Sequence, residues 1–207
     1  MDWLYTEAVI PIWLKLLTTL GTAIIVVIYW RKYGPGNLLW FCDLTLILLV
    51  PAVWLESVLL ASLAALLVLL PLVAWTLLLM IRLATGWREA GLLDYMFESE
   101  RPWLLRLLSL FHVPLAALLI YLLAVLGYDA RALPLAGLSV AVVLPLTWWL
   151  TPPSRNVNWV HGIGGEGTRQ QSMPAWAFLL GLVTAAALLI HLPSHWLLGH
   201  LFSPGHL

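Results

Sequence analysis

An all-α polytopic membrane protein is the fold class this sequence predicts, on three observations. Of 207 residues, 62% are hydrophobic and only 10% are charged. A soluble domain is about half apolar and about a quarter charged, so a water-soluble globule of this composition could not cover its surface. The apolar residues come in long runs, and about 20 in succession suffice to cross the hydrocarbon core as a helix. The 13 tryptophans fit the same class, because indole rings favour the membrane–water interface.

Six runs are candidate transmembrane helices: residues 10–30, 38–55, 57–81, 103–126, 132–150 and 175–197. They are separated by YGPGN at 33–37, a polar stretch at 82–102, GYDAR at 127–131 and TPPSRNVNWVHGIGGEGTRQQSMP at 151–174. Very few residues join the second and third runs, which predicts a tight helical hairpin. Pro51, Pro71, Pro114 and Pro145 fall inside runs. They predict kinks, tolerated where neighbours satisfy the freed carbonyls. No internal repeat is visible, so residues 1–207 read as a single six-helix transmembrane domain. Asp2 and Glu7 stand where a signal peptide would be basic, and no A-x-A site follows the first run, so no secretory signal is expected.

Lysine and arginine set the orientation, because they accumulate in cytoplasmic loops. Arg31, Lys32, Arg82, Arg88, Arg101, Arg106, Arg155 and Arg169 fall on one side, and only Lys15 and Arg131 towards the other. The first side is expected to be cytoplasmic. Both termini then lie outside, and the bacterial inner (plasma) membrane is the expected location. A net charge of zero gives no electrostatic case for nucleic acid. The single cysteine excludes an intrachain disulfide and a multi-cysteine zinc site.

This topology brings the polar residues of the spans to one leaflet. At 1.5 Å per helical residue, Cys42 and Asp43 lie roughly 6–8 Å inside the expected cytoplasmic face, and His112 roughly 13 Å inside. Arg106 lies one to two turns nearer the surface, and Asn156, Asn158 and His161 follow the fifth span at the same face. Ionisable residues within spans usually face the protein interior, pair with one another and mark function. For Asp43 the structural reading is an ion pair with Arg106 or a hydrogen bond to Asn158; the functional reading is an active-site role. Arg106, Ser109 and His112 form a slowly turning stripe. His112 is either an interhelical hydrogen-bonding group or a general base, for which an imidazole is suited. Cys42 is either a small buried hydrophobe or a nucleophile, since cysteine with histidine and an orienting acid or amide is the logic of acyl transfer. Neighbouring helical residues point about 100° apart, so one of Cys42 and Asp43 is expected to be central and the other peripheral.

Two further motifs are weaker. HGIGGEG at 161–167 lacks the lysine and Ser/Thr of a phosphate loop and follows no strand, so it reads as a flexible loop touching lipid headgroups. His191 and His195 have the i, i+4 spacing of a helical metal pair, with His200 and His206 beyond. Pro193 lies between them and no carboxylate is nearby, so they read as interfacial histidines and no metal is expected.

The run YGPGNLLWFCD, then LLRLLSLFH, then NVNWVHG before the last span resembles a bacterial family of multi-pass proteins described as membrane-associated. More distantly, it is similar to the YwaF-type integral membrane proteins. The layout is also similar to the androgen-induced-gene family of intramembrane lipid hydrolases and a related cysteine-dependent phospholipid acyltransferase. The resemblance covers residues 33–197 and rests on short motifs and helix order. It implies a nucleophile at Cys42 and a histidine at His112. The family's Ser-His pair is Phe111-His112 here, with Ser109 displaced.

The sequence thus leads to an intramembrane lipid hydrolase or acyltransferase acting on an acyl ester at the cytoplasmic leaflet, without a cofactor. Cys42 would attack, His112 would carry the proton, and Asp43 or Asn158 would orient His112. Arg106, Asn156 and His161 would bind the lipid, with Asn156 or backbone amides supplying oxyanion donors. The alternative is a non-catalytic membrane subunit or small transporter with a buried Asp43–Arg106–His112 network.

Overall fold

The computed structural model describes residues 9–88 and 92–202. Asp2, Glu7 and His206 lie outside the described residues. Those described form helices and no strand. Five helices are long and apolar enough to cross a membrane: α1 (Ile12–Tyr33), α3 (Val58–Thr85), the composite Trp103–Leu126, α7 (Ala132–Leu150) and the composite Ala175–Phe202.

The second apolar run folds differently from expectation. It forms a 3₁₀ turn over Pro35–Leu39 and then a short helix, α2 (Phe41–Trp54), of 14 residues. That helix measures roughly 21 Å, against the roughly 30 Å of a hydrocarbon core. The Pro-Gly pair of YGPGN supplies the turn, so part of the hydrophobic run is spent before the helix begins.

Local chemistry sets the other ends. Ser57 caps α3, its Oγ accepting from the Leu60 amide at 3.3 Å. Gly86 ends α3 in the left-handed conformation, with φ of 72°. A four-residue helix, α4 (Asp94–Phe97), follows in the polar connection. The fourth span is broken into α5 (Trp103–Ser109) and α6 (His112–Leu126). Pro114 explains the break, because it has no amide to offer Leu110 and its ring crowds that carbonyl. Leu110 instead accepts from Val113 at 3.1 Å. The last span begins as α8 (Ala175–Ala186), loosens into a π-turn at Ala187–His191 and continues as α9 (Leu192–Phe202). Pro193 denies an amide to Leu189 and falls just after that π-turn, a common accommodation of a disturbed ladder.

Helix α3 is the hub, packing on α2, α6, α7 and the last span. Ala61, Ala64 and Ala65 on α3 are fully buried, as are Ala52 on α2 and Ala132 and Ala136 on α7. Small side chains let backbones approach closely where lipid offers no hydrophobic drive for association. Thr18, Thr22, Thr45, Ser62 and Thr147 are buried, while Leu20, Ile24, Leu77, Leu138, Trp149 and Leu189 are exposed. This polar-inside, apolar-outside arrangement matches a lipid environment.

The ends of the helices differ. At one end the loop before α1 meets the α2–α3 turn. Glu56, with φ of 49°, accepts hydrogen bonds from the amides of Val9 and Ile10, both at 3.0 Å, and from Lys15 Nζ at 2.8 Å. Nearby the Tyr128 hydroxyl and His195 Nδ1 share a 2.7 Å hydrogen bond, and the Asp129 amide donates to Ser62 at 2.9 Å. At the other end the termini of α1 and α2, the α4 segment and the 151–168 loop surround a cavity.

Candidate functional site

The cavity has a volume of about 830 Å³, within the range usual for small-molecule sites. Cys42, Asp43, His112 and Asn156 line it. Residues from the second and fourth apolar runs and from the 151–174 loop therefore meet at one end of the molecule, the end the basic residues mark. Cys42 and Asp43 both face the cavity, although they diverge around α2.

That turn is held from outside. The Asn158 carbonyl oxygen accepts from the Phe41 amide at 3.3 Å, and its Nδ2 donates to the Leu39 carbonyl at 2.7 Å. Asn158 thus clamps the start of α2 to the 151–168 loop and does not line the cavity. The first amide to find an acceptor one turn back is Leu44, donating to Trp40 at 2.9 Å. The amides of Cys42 and Asp43 belong to the unpaired first turn and lie beside the Cys42 sulfur.

Asp43 is 2% exposed. Its Oδ2 accepts from Asn37 Nδ2 at 3.2 Å, and its Oδ1 is buried with no hydrogen-bond partner among the described residues. The partner is therefore Asn37, delivered by the 3₁₀ turn, and neither Arg106 nor Asn158. Arg106 is half-buried on α5 outside the cavity lining, and its Nε is buried without a hydrogen-bond partner among the described residues.

His112 opens α6 directly after the broken turn. Its ring stacks on Trp75 and Phe111, with centroids 4.7 and 4.2 Å away. Its Nδ1 bonds the Ser109 carbonyl at 2.5 Å. A carbonyl can only accept, so Nδ1 carries the proton and Nε2 of the neutral ring presents a lone pair. The orienting group is thus the Ser109 carbonyl rather than Asp43 or Asn158, because residue 109 lies one turn back and its carbonyl is freed by the helix break. Ser109 Oγ donates to the Leu105 carbonyl at 3.1 Å and meets the Tyr29 hydroxyl at 3.3 Å. No hydrogen bond joins Cys42 to His112 among the described residues; they share the cavity wall.

Asn156 and His161 organise the glycine-rich loop. Asn156 Nδ2 donates to the carbonyls of Gly162, Gly164 and Gly165 at 2.8, 3.1 and 3.1 Å, and Oδ1 accepts from the His161 amide at 3.0 Å. That amide is committed to loop carbonyls, which leaves the backbone amides of α2 as the donors nearest Cys42. His161 Nε2 bonds the Thr151 carbonyl at 3.0 Å, away from the cavity lining. Asn156, Asn158 and Trp159 adopt positive φ of 41°, 52° and 59°. Asparagine tolerates this conformation; tryptophan there is strained.

Charged residues ring the mouth. Arg101 reaches Glu98 and Glu166, both at 3.1 Å, and the Tyr33 hydroxyl at 3.3 Å. Burial works to lower the Arg101 pKa, but Glu166, Tyr33 and Glu98 outweigh it and hold it above the ordinary value. Arg155 donates to the Tyr33 carbonyl and lies 5.4 Å from that ring. Burial pushes the Tyr95 hydroxyl well above the ordinary tyrosine range. Sequence reading counted Arg101 and Arg155 only as topological charge and missed Asn37. A usable signal was present: an asparagine in a Pro-Gly turn, six residues before an acid in an apolar run.

The distal histidines serve elsewhere. His195 bonds Tyr128, His200 stacks on Trp196 at 6.2 Å, and His191 is buried in the π-turn. No family model, curated protein or solved structure matches the chain.

Proposed function

We propose that the protein is an intramembrane lipid hydrolase or acyltransferase acting on an acyl ester, with Cys42 as nucleophile and His112 as base. The observation that carries this reading is the shared cavity: Cys42 and His112, the latter held through Nδ1 with a lone pair left on Nε2, line one space. Cys42 Sγ adds to the ester carbonyl carbon while His112 Nε2 takes the thiol proton. The carbonyl oxygen becomes an oxyanion facing the amides of Cys42 and Asp43, donors of a kind typically worth about 3–4 kcal/mol of barrier. Collapse breaks the C–O bond, the alkoxide receives the proton from His112, and a thioester remains on Cys42. Water then releases a fatty acid, or a second alcohol accepts the acyl group, and the thiol is regenerated. Direct proton transfer needs hydrogen-bond reach of about 3 Å, so the two side chains close on each other as substrate binds.

In this reading the short helix α2 is the second of six spans, completed by the 3₁₀ turn before it. The basic end of the molecule faces the cytoplasm, both termini face outward, and the membrane is the bacterial inner membrane. The likeness to the membrane-associated, YwaF-type and androgen-induced-gene families belongs to the same proposal. The test is release of fatty acid from, or acyl transfer between, phospholipids in nanodiscs holding the purified protein. Turnover should disappear in both Cys42→Ala and His112→Ala; full turnover in either variant overturns the reading.

One observation favours a second reading, a non-catalytic binding or carrier protein. Asp43 makes its hydrogen bond with Asn37 and leaves Cys42 and His112 unjoined. On that reading Cys42→Ala retains full function while Asp43→Asn loses it.

A further inference from the structure

We infer that the cavity is a receptor for an organic ammonium group, held between the Asp43 carboxylate and the aromatic side chains around it. The inference names the substrate class of the proposed site and rests on that reading for its link to chemistry, but it stands on other side chains. Asp43 lines the cavity at 2% exposure, and its Oδ1 has no hydrogen-bond partner among the described residues. A buried carboxylate sharing one amide donor is under-compensated, and burying charge is costly unless a counter-charge or several donors answer it. The cations at the mouth are committed elsewhere, Arg101 to Glu98 and Glu166 and Arg155 to the Tyr33 carbonyl. Arg106 forms no ion pair with Asp43 and lies outside the lining. A cationic ligand would supply the compensation that the protein side chains do not.

The walls say which kind. Tyr29, Tyr33, Trp40, Tyr95, Phe111 and Trp159 line the same space. Aromatic faces attract cations, and they favour alkylammonium groups that have shed water over small hydrated ions. No group of three or more His, Cys, Asp or Glu side chains among the described residues could hold a metal ion, and a space of about 830 Å³ suits an organic group. The ammonium can come from the headgroup of a choline or ethanolamine phospholipid, or from a free small amine.

The experiment uses the purified full chain and follows intrinsic tryptophan fluorescence, to which Trp40 and Trp159 contribute from the cavity wall. Choline chloride and tetramethylammonium chloride are titrated in detergent against matched sodium chloride. Nanodiscs of phosphatidylcholine or phosphatidylethanolamine are compared with phosphatidylglycerol. Saturable, ammonium-specific binding is expected, weakened about tenfold or more in Asp43→Asn, the scale of a lost charge-assisted contact. Tyr95→Leu, which removes a wall and no charge, should weaken it less, and it serves should Asp43→Asn fail to fold. Binding of free choline identifies a soluble amine as sufficient; a response confined to the zwitterionic nanodiscs identifies the lipid headgroup. A sodium response equal to the choline response, unchanged binding in Asp43→Asn, or preference for phosphatidylglycerol overturns the inference. If ammonium binds but no ester is turned over, the proposed catalysis falls and this inference stands. If turnover needs Cys42 and His112 yet ignores headgroup and Asp43, the reverse holds.

Discussion

The two ends of the helix bundle treat their carboxylates in opposite ways. At the end built around Glu56, the carboxylate takes two amides and an ammonium, and Tyr128, Asp129 and Ser62 all find partners close at hand. At the cavity end, Asp43 keeps an oxygen without a partner among the described residues, three non-glycine residues of the 151–168 loop hold positive φ, and a span is interrupted. The first end is built as a staple. The second leaves a buried acceptor unanswered among the described residues, which a fold retains where it serves a site.

Substitutions at the two ends should therefore have opposite signatures. The largest effect is expected from His112→Ala. Ester turnover should fall roughly a hundred- to ten-thousand-fold, the usual contribution of a positioned general base, with thermal unfolding in detergent little changed. An unfolding midpoint that drops as far as turnover would make His112 a packing residue. Next, Glu56→Ala should destabilise the fold by about 1–3 kcal/mol, because it strands buried Lys15 and two amides. Turnover per folded molecule should stay unchanged, and a thermal melt with an activity assay reads both. Asn158→Ala should cost about 1–2 kcal/mol for the lost clamp on Leu39 and Phe41 and also lower turnover, since it frees the turn carrying Cys42; hydrogen exchange at residues 41–44 reports it. The smallest effect, about 1 kcal/mol or less, is expected from Tyr128→Phe.

The staple also predicts a pH dependence. The Lys15 hydrogen bond first, and the Ile10 amide next, hold the Glu56 carboxyl below its ordinary value. Its folded pKa is depressed, so its contribution is complete above the ordinary glutamate value of about 4.3 and is lost as the pH falls below it. Melting curves at decreasing pH should show this loss in the parent chain and not in Glu56→Gln. An identical acid response in the two would remove Glu56 from the staple.

Sequence periodicity and charge revealed the long apolar helices and the gathering of Cys42, Asp43, His112 and Asn156 at one end. The α7 segment at 132–150 was legible to the residue, because GYDAR and TPP delimit it sharply. The length of α2 was not, because a 3₁₀ turn carrying Leu38 and Leu39 is as apolar as the helix it precedes. The roles of Asn37 and Asn158 were hidden for another reason. Asn158 acts on groups brought together by tertiary folding, 119 residues away in the case of Leu39, whereas Asn37 reaches Asp43 six residues on through a turn whose geometry the sequence does not print. The break at Ser109–His112 was half legible, since Pro114 announces a disturbance without saying which carbonyl is freed to hold the imidazole.

A single cysteine sits in the wall of the cavity, and this gives the molecule a built-in stoichiometric marker. One chain can accept one maleimide. In sealed vesicles, the fraction labelled by an impermeant reagent added from each face counts directly how many molecules open towards that face, without a residue being changed.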